Sequence, residues 1–317
     1  MLERVDAKTR QRDSFRADVW AGLAQPQKTL PSRWLYDDRG CALFEEITQL
    51  DEYYPTRTET AILKDHAPQI AAFCGKDAVL IEYGAGAGVK TGIVLDALET
   101  PQLYVPVDIA TDFLEQTAAR MRSRFPQLKV HPIATDFTSD FEIPPLVPVQ
   151  GRFAFFPGST IGNLDRAESL AFLRRMHHHV SGGGRAIIGA DLKKDIPTLV
   201  AAYDDREGVT AAFNLNLLVR INRELSGNFV LDQFAHEARW NSADSAIEMH
   251  LVSLKEQVAT IAGRSFAFRS GETIHSESSR KYSIAGFTDL AAESGWRSSV
   301  TWTDPQQRFA LFGLSAT

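Results

Sequence analysis

The stretch Glu82-Tyr-Gly-Ala-Gly-Ala-Gly-Val-Lys90 sets glycines at 84, 86 and 88 between an apolar run and a helical pattern. Glycines so placed let the backbone turn sharply and approach a ligand where a helix begins. Alone the loop is a weak signal, because ordinary tight turns use the same residue. Asp108 strengthens it: an acid roughly twenty residues on, closing the next apolar run, is where a carboxylate accepts hydrogen bonds from ribose hydroxyls. Asp136, with Phe137 beside it, closes the third run and suits the amino group and flat face of adenine. A dinucleotide would want a third glycine where Val89 stands, and an acid at Glu82 repels diphosphate. A cationic ligand with ribose and adenine but no phosphate, such as S-adenosylmethionine, fits Glu82 and Asp108 better, which points to methyl transfer. After a fourth run, Phe156-Pro-Gly-Ser-Thr-Ile-Gly-Asn163 exposes backbone at its glycines and offers Asn163 as both donor and acceptor.

The elements that must hold these residues read as α/β. From about Val79 to Leu192, short β-branched and aromatic runs alternate with helical patterns, the signature of βαβ units in a parallel sheet. The runs are 79–83, 103–107, 129–133, 153–156 and 185–189. Intervening helices include one capped by Thr111 with Asp112 in its first turn, ending near Pro126, and one from Ala167. Beyond Asp195 a helical region from Pro197 to about Leu225, broken near Gly208, precedes a period-two strand over 247–253. Residues 265–269, continuing through Ser270-Gly271, read as a hairpin. A helix from Ile284 to about Gly295 and strands over 296–300 and 308–314 are placed to finish the first sheet. The expected division is therefore a Rossmann-like methyltransferase domain over 61–195 and 284–317, with a smaller α+β domain over 1–60 and 196–283.

Composition narrows the partners. The 34 basic against 40 acidic residues, a net charge of -6, supply no general attraction for nucleic acid or anionic lipid. No apolar run is long enough to span a bilayer, and the opening Met1-Leu-Glu-Arg-Val-Asp is charged where a signal core would be apolar, so a cytoplasmic location is expected. Two cysteines, Cys41 and Cys74, are too few for a disulfide framework or a four-ligand zinc site. His177-His178-His179 points three ways from one helix and ends it before Ser181-Gly-Gly-Gly184, where partly cationic rings suit the helix dipole. No metal is expected.

Longer motifs carry a family resemblance. Leu30-Pro-Ser-Arg-Trp-Leu-Tyr36-Asp-Asp-Arg-Gly40, Leu43-Phe44-Glu-Glu-Ile-Thr and Glu52-Tyr53-Tyr-Pro-Thr-Arg-Thr-Glu59 resemble the opening of the histidine Nα-methyltransferases of ergothioneine biosynthesis. Gly158–Asn163, Ala202-Tyr203-Asp-Asp, Val209–Asn214, Asn222–Leu225, Trp240-Asn and Ile247-Glu-Met249 follow in the same order, over nearly the whole chain. The resemblance implies that Gly84, Lys90, Asp108, Asp136 and Phe137 bind S-adenosylmethionine, with Tyr36 closing nearby. It implies that Asn163 and Tyr203 hold an amino-acid carboxylate and that Tyr53 lines the pocket. Glu277 and Ser279 would hydrogen-bond the imidazole beside Met249, with Phe44, Gly158, Thr160 and Ser278 in the same substrate set. The implied reaction is trimethylation of the α-amino nitrogen of free L-histidine to hercynine. Another amino acid such as tryptophan is the nearest alternative acceptor, and a nucleotide-binding oxidoreductase or ligand sensor is the alternative from another class.

Overall fold

Residues 79–83 are buried at every position, as a parallel strand covered on both faces must be. In the computed structural model, which describes residues 2–180 and 183–317, this strand lies inside an eight-stranded sheet. The order is Trp296–Thr303, Phe309–Ala316, Arg185–Asp191, Arg152–Phe156, Val79–Tyr83, Leu103–Asp108, Lys129–Val130, with Ile133–Ala134 also pairing Leu103–Asp108. The pairings from Arg185–Asp191 through Lys129–Val130 are parallel. Phe309–Ala316 runs antiparallel between Arg185–Asp191 and Trp296–Thr303. This is a Rossmann-like sheet, and the last two expected strands do complete it.

Alternation along each strand builds two cores. Ile81 and Tyr83 join Phe172 and Phe287 on one face, while Leu80 joins Ile62, Leu95 and Phe155 on the other. Chain order reverses between Val79–Tyr83 and Arg152–Phe156, so the loops leaving their carboxyl ends flank the crevice where open α/β sheets take ligands. Those loops are Gly84–Gly88 and Pro157–Asn163.

Three local expectations need correction. The run 129–133 is two strands of two residues, because Pro132 has no N–H for the ladder. Helix Thr111–Arg124 takes Ala110, not Thr111, as its cap, with no side-chain cap bond. The hairpin pairs Gln257–Ile261 with Arg264–Phe268 around Ala262-Gly263, both at positive φ as a two-residue hairpin turn demands, so Ser270-Gly271 belongs to a separate turn. Ser181 and Gly182 of the expected glycine turn lie outside the described residues, as does Met1.

Two compact units emerge, Met1–Tyr53 with Asp195–Ser278 and Tyr54–Lys194 with Ser279–Thr317. Relative to the expected boundaries, 54–60 and 279–283 fall with the large sheet, and the dividing line cuts the strand Thr273–Arg280. The first unit carries a four-stranded sheet ordered Lys28–Thr29, Thr273–Arg280, Ala246–Ser253, Phe234–Asn241. Its longest well-buried helix, Val209–Leu225, starts where Asp205 accepts the N–H groups of Val209 and Thr210, which explains the break near Gly208. Among the described residues no helix is long and apolar enough to cross a membrane.

Candidate active site

In the large-sheet unit, Gly84 leaves its strand at φ 69°, and a Cβ there would stand 3.4 Å from the Phe137 ring. Phe137 is fixed by Phe156 and Phe172, at centroid distances of 5.5 and 5.6 Å. An aromatic ring thus stands against the glycine turn. Asp108 accepts the Gly86 N–H at 3.3 Å through Oδ2 and the Ala110 N–H at 3.0 Å through Oδ1. Burial raises its pKa, and these amide bonds pull it back. Asp136 folds onto its own turn, taking the Thr138 N–H at 2.9 Å and hydroxyl at 2.6 Å. A carboxylate bonded to the glycine loop fits a nucleoside without phosphate, since it would repel a diphosphate at that spot.

Glu82 does not act as expected. It is 1% exposed, accepts the hydroxyls of Thr91 and Tyr104, and burial pushes its pKa up to about 8. It is therefore largely protonated at neutral pH, and its charge is no argument about the ligand. The discrimination rests on Asp108.

Lys90, in the first turn of Val89–Ala97, pairs with Glu59 Oε2 at 2.5 Å. Glu59, fully buried, also accepts the Gly158 N–H through both oxygens, at 3.0 and 2.9 Å. Further along that loop, the Thr160 hydroxyl donates to the Pro157 carbonyl at 3.1 Å. Asn163 is half-buried, and among the described residues its side chain makes no hydrogen bond. Ser159, at φ 60°, accepts the Asp191 N–H at 2.9 Å. Asp191 gathers the ammonium groups of Lys194 and Lys281 at 2.6 and 2.9 Å and the Tyr54 hydroxyl at 2.7 Å. Lys281 in turn donates to Ser279 Oγ at 2.8 Å.

The other unit is built from rings and a polar chain. Tyr36 stands edge-on to Phe44 and Phe213, at 5.7 and 5.4 Å between centroids. Phe44 meets Tyr53 at 6.1 Å, and Tyr53 meets Tyr203 at 6.2 Å. Burial first, then the nearby Glu277 charge, drives the Tyr36 phenol well above its ordinary pKa, so it stays neutral. Beneath the rings, Ser276 donates to Asn214 Oδ1 at 2.6 Å, which turns the Asn214 amide toward the His250 carbonyl and His236 Nδ1, at 3.2 and 2.9 Å. His236 Nε2 then donates to the Tyr203 carbonyl at 2.8 Å. Met249 is buried on the neighbouring strand and accepts the Ser276 hydroxyl at 3.1 Å through its carbonyl. Glu277 is 7% exposed, and the Ser278 hydroxyl bonds His275 Nε2 at 3.0 Å.

Residues 15–316 match the S-adenosylmethionine-dependent, histidine-specific methyltransferases. The chain belongs to that family. It is 40% identical over 94% of its length to the histidine N-alpha-methyltransferase of Mycolicibacterium smegmatis, of which it covers 94%. The same enzyme of Mycobacterium tuberculosis is 38% identical, again over 94% of both chains. Ergothioneine biosynthesis protein 1 of Neurospora crassa is 32% identical over 62% of this chain, which spans 23% of that longer protein.

Within this methyltransferase, Gly84, Asp108, Asp136 and Phe137 share the carboxyl edge of the large sheet with Lys90, Gly158, Thr160 and Asn163. Tyr36, expected among the donor residues, packs on Phe44 and Phe213, in the unit that also carries Tyr53, Tyr203, Met249, Glu277 and Ser278. Ser279 falls with the large-sheet unit. Sequence reasoning missed Glu59, Asp191, Lys281, Phe213 and Asn214. Glu59, Phe213 and Asn214 stand inside the family motifs and could have been singled out there, whereas nothing local marks Asp191 or Lys281. The three histidines do diverge: His177 meets Trp296, His178 faces Glu142, and His179 lies between Tyr83 and Phe141. Among the described residues, no three His, Cys, Asp or Glu side chains gather as metal ligands.

Proposed function

We propose that this methyltransferase trimethylates the α-amino nitrogen of free L-histidine, giving hercynine at the entry to ergothioneine biosynthesis. The observation that carries the reading is Glu277, a buried carboxylate beside the aromatic wall of Tyr36, in a family specific for histidine. An apolar wall accepts any flat ring, but a buried carboxylate there rewards a ring N–H and is left unsatisfied by a phenyl ring, and the indole of tryptophan, which also has an N–H, lacks the second ring nitrogen that imidazole offers. Glu277 accepts one imidazole N–H, Ser279 bonds the other ring nitrogen, and Met249 packs beside the ring. Asn163 and Tyr203 grip the carboxylate of the amino acid.

S-adenosylmethionine, bound by Asp108, Asp136, Phe137 and Lys90, supplies a methyl carbon already activated on a sulfonium. Orientation is then the protein's main contribution, an effect worth on the order of 7–11 kcal/mol. The acceptor must be an amine, not an ammonium. The rings of Tyr36, Phe44, Tyr53 and Phe213 exclude water and lower the amine's pKa by desolvation. The anionic groups that bind histidine grip its far end, where they do not stabilise an ammonium. A cytoplasmic location belongs to the same reading, supported by a chain with only two cysteines.

The test is mass spectrometry after mixing the protein with S-adenosylmethionine and an equimolar pool of the twenty amino acids. Histidine should gain three methyl groups while the others keep their masses. Methylation of a different amino acid in its place would overturn the proposal.

A further inference from the structure

Glu59 lies on the helix Tyr54–Asp65 with no exposed surface, yet it carries a carboxylate. Its surroundings are built to receive one. Gly158 donates its N–H to both oxygens, and Lys90 Nζ reaches Oε2 at 2.5 Å. On a third side stands Gly189, where a Cβ would come within 2.1 Å of Oε1 and 3.1 Å of Phe309. The strand Arg185–Asp191 thus leaves a slot shaped by a missing methyl group. Pro157 has no N–H, so Gly158 presents the first amide after the strand Arg152–Phe156, and Glu59 captures it.

The electrostatics fit the same picture. Lys90 sits in the first turn of its helix, where the dipole disfavours a cation. A buried carboxylate offsets that and holds the ammonium in one place. A Cβ at Gly158 would lie 3.6 Å from Lys90 Nζ, so the lysine head, the glycine backbone and the carboxylate form one unit.

We propose that Glu59 is a positioning residue tying the donor-side Lys90 to the acceptor-side loop Gly158–Asn163, so that donor and amino acid bind with positive coupling. This rests on the reading above, in which Lys90 faces the donor and that loop faces the amino acid. Ordering Lys90 orders Glu59, Glu59 orders the Gly158 amide, and the second ligand meets a loop already arranged.

The experiment is calorimetric titration of histidine with and without saturating S-adenosylhomocysteine, an inert stand-in for the donor. Wild-type protein should bind histidine on the order of tenfold more tightly when the cofactor product is present. Glu59→Gln keeps the shape of the side chain but removes its charge and mispairs one donor, and the ratio should fall to about one. Gly189→Ala leaves every member of the triad intact, displaces the carboxylate, and should reduce the ratio in the same direction. For S-adenosylhomocysteine affinity, Lys90→Met with Glu59→Gln should lose no more than Lys90→Met alone. A wild-type ratio of one, or an unchanged ratio in both Glu59→Gln and Gly189→Ala, overturns the proposal. So does a Glu59→Gln in which each ligand alone weakens while the ratio survives, since that is a purely structural effect. Should another amino acid prove to be the acceptor, the same ratio is measured with that one, so the two ideas fail separately.

Discussion

On the proposed reading, the donor side and the ring-walled side of this methyltransferase recognise their ligands by different means. Around Gly84, Asp108 and Phe137, backbone dominates: a glycine turn, amide bonds to a carboxylate, and side chains leaving consecutive strand ends. Around Tyr36 and Glu277, side chains dominate, gathered from segments as distant as Phe44, Tyr203, Phe213 and Met249 and braced by the chain from Ser276 through Asn214 and His236 to Tyr203. In that reading a nucleoside would be bound by a short local device that any sheet of this order supplies, and an amino acid would be selected by a wall that exists only once the chain has folded.

If that contrast holds, variants on the two sides should separate cleanly. The largest effect is expected at Glu277→Ala. Losing the acceptor built for a ring N–H should lower kcat/KM for histidine by about a thousandfold or more, and narrow its advantage over phenylalanine, whose ring has no N–H, while S-adenosylhomocysteine affinity stays within about twofold. A parallel loss of cofactor affinity would break the contrast. Asp108→Ala should do the reverse. Removal of a charged hydrogen-bond acceptor should weaken S-adenosylhomocysteine by about 1.5–3 kcal/mol, measured calorimetrically, with histidine selectivity unchanged.

Asn214→Ala tests the bracing and not a contact with ligand. The change removes the nearer of two acceptors from the Ser276 hydroxyl and leaves His236 Nδ1 without the Asn214 amide, so stability should fall by about 1–3 kcal/mol in a denaturant titration. Apparent KM for histidine should rise through the displaced Tyr203, with cofactor affinity again unmoved. Equal loss on both sides would mean that the polar chain serves the fold at large.

The same contrast sets what could be read in advance. Glycines at 84, 86 and 88 with acids at 108 and 136 point to a nucleoside site because their spacing follows the strand–loop–helix repeat, and the sheet could be traced from periodicity alone. Its errors are short-range: Pro132 splits a strand, and Ala262-Gly263 makes a hairpin turn with an alanine that nothing marks as left-handed. The ring wall has no period. Tyr53 and Tyr203 read as ordinary amphipathic packing, and only the family resemblance singled them out, with Tyr36. Buried charge is hardest to foresee. Glu59, Asp191 and Lys281 look like solvated residues until the groups that neutralise them are in place, and Glu82 looks anionic until its burial is known.

Glu82 gives a measurement on the fold alone, apart from either ligand. In the fold its pKa rises from 4.5 to about 8, chiefly by burial, while the bonds from Thr91 and Tyr104 pull it down. Across that window the folded chain keeps a proton that the unfolded chain gives up, so this group makes stability fall as pH rises. Glu82→Gln carries no titrating proton and keeps a side chain of the same shape between Thr91 and Tyr104. Its thermal midpoint relative to wild type should therefore climb steadily between about pH 5 and about pH 8 and level off above. At the acid end both side chains are neutral, so any difference there reports only the altered hydrogen bonds. A difference that stays constant across the range would mean that Glu82 is ionised inside the fold. The acid before the glycine loop would then regain its claim to repel phosphate, and Asp108 would no longer carry that discrimination alone.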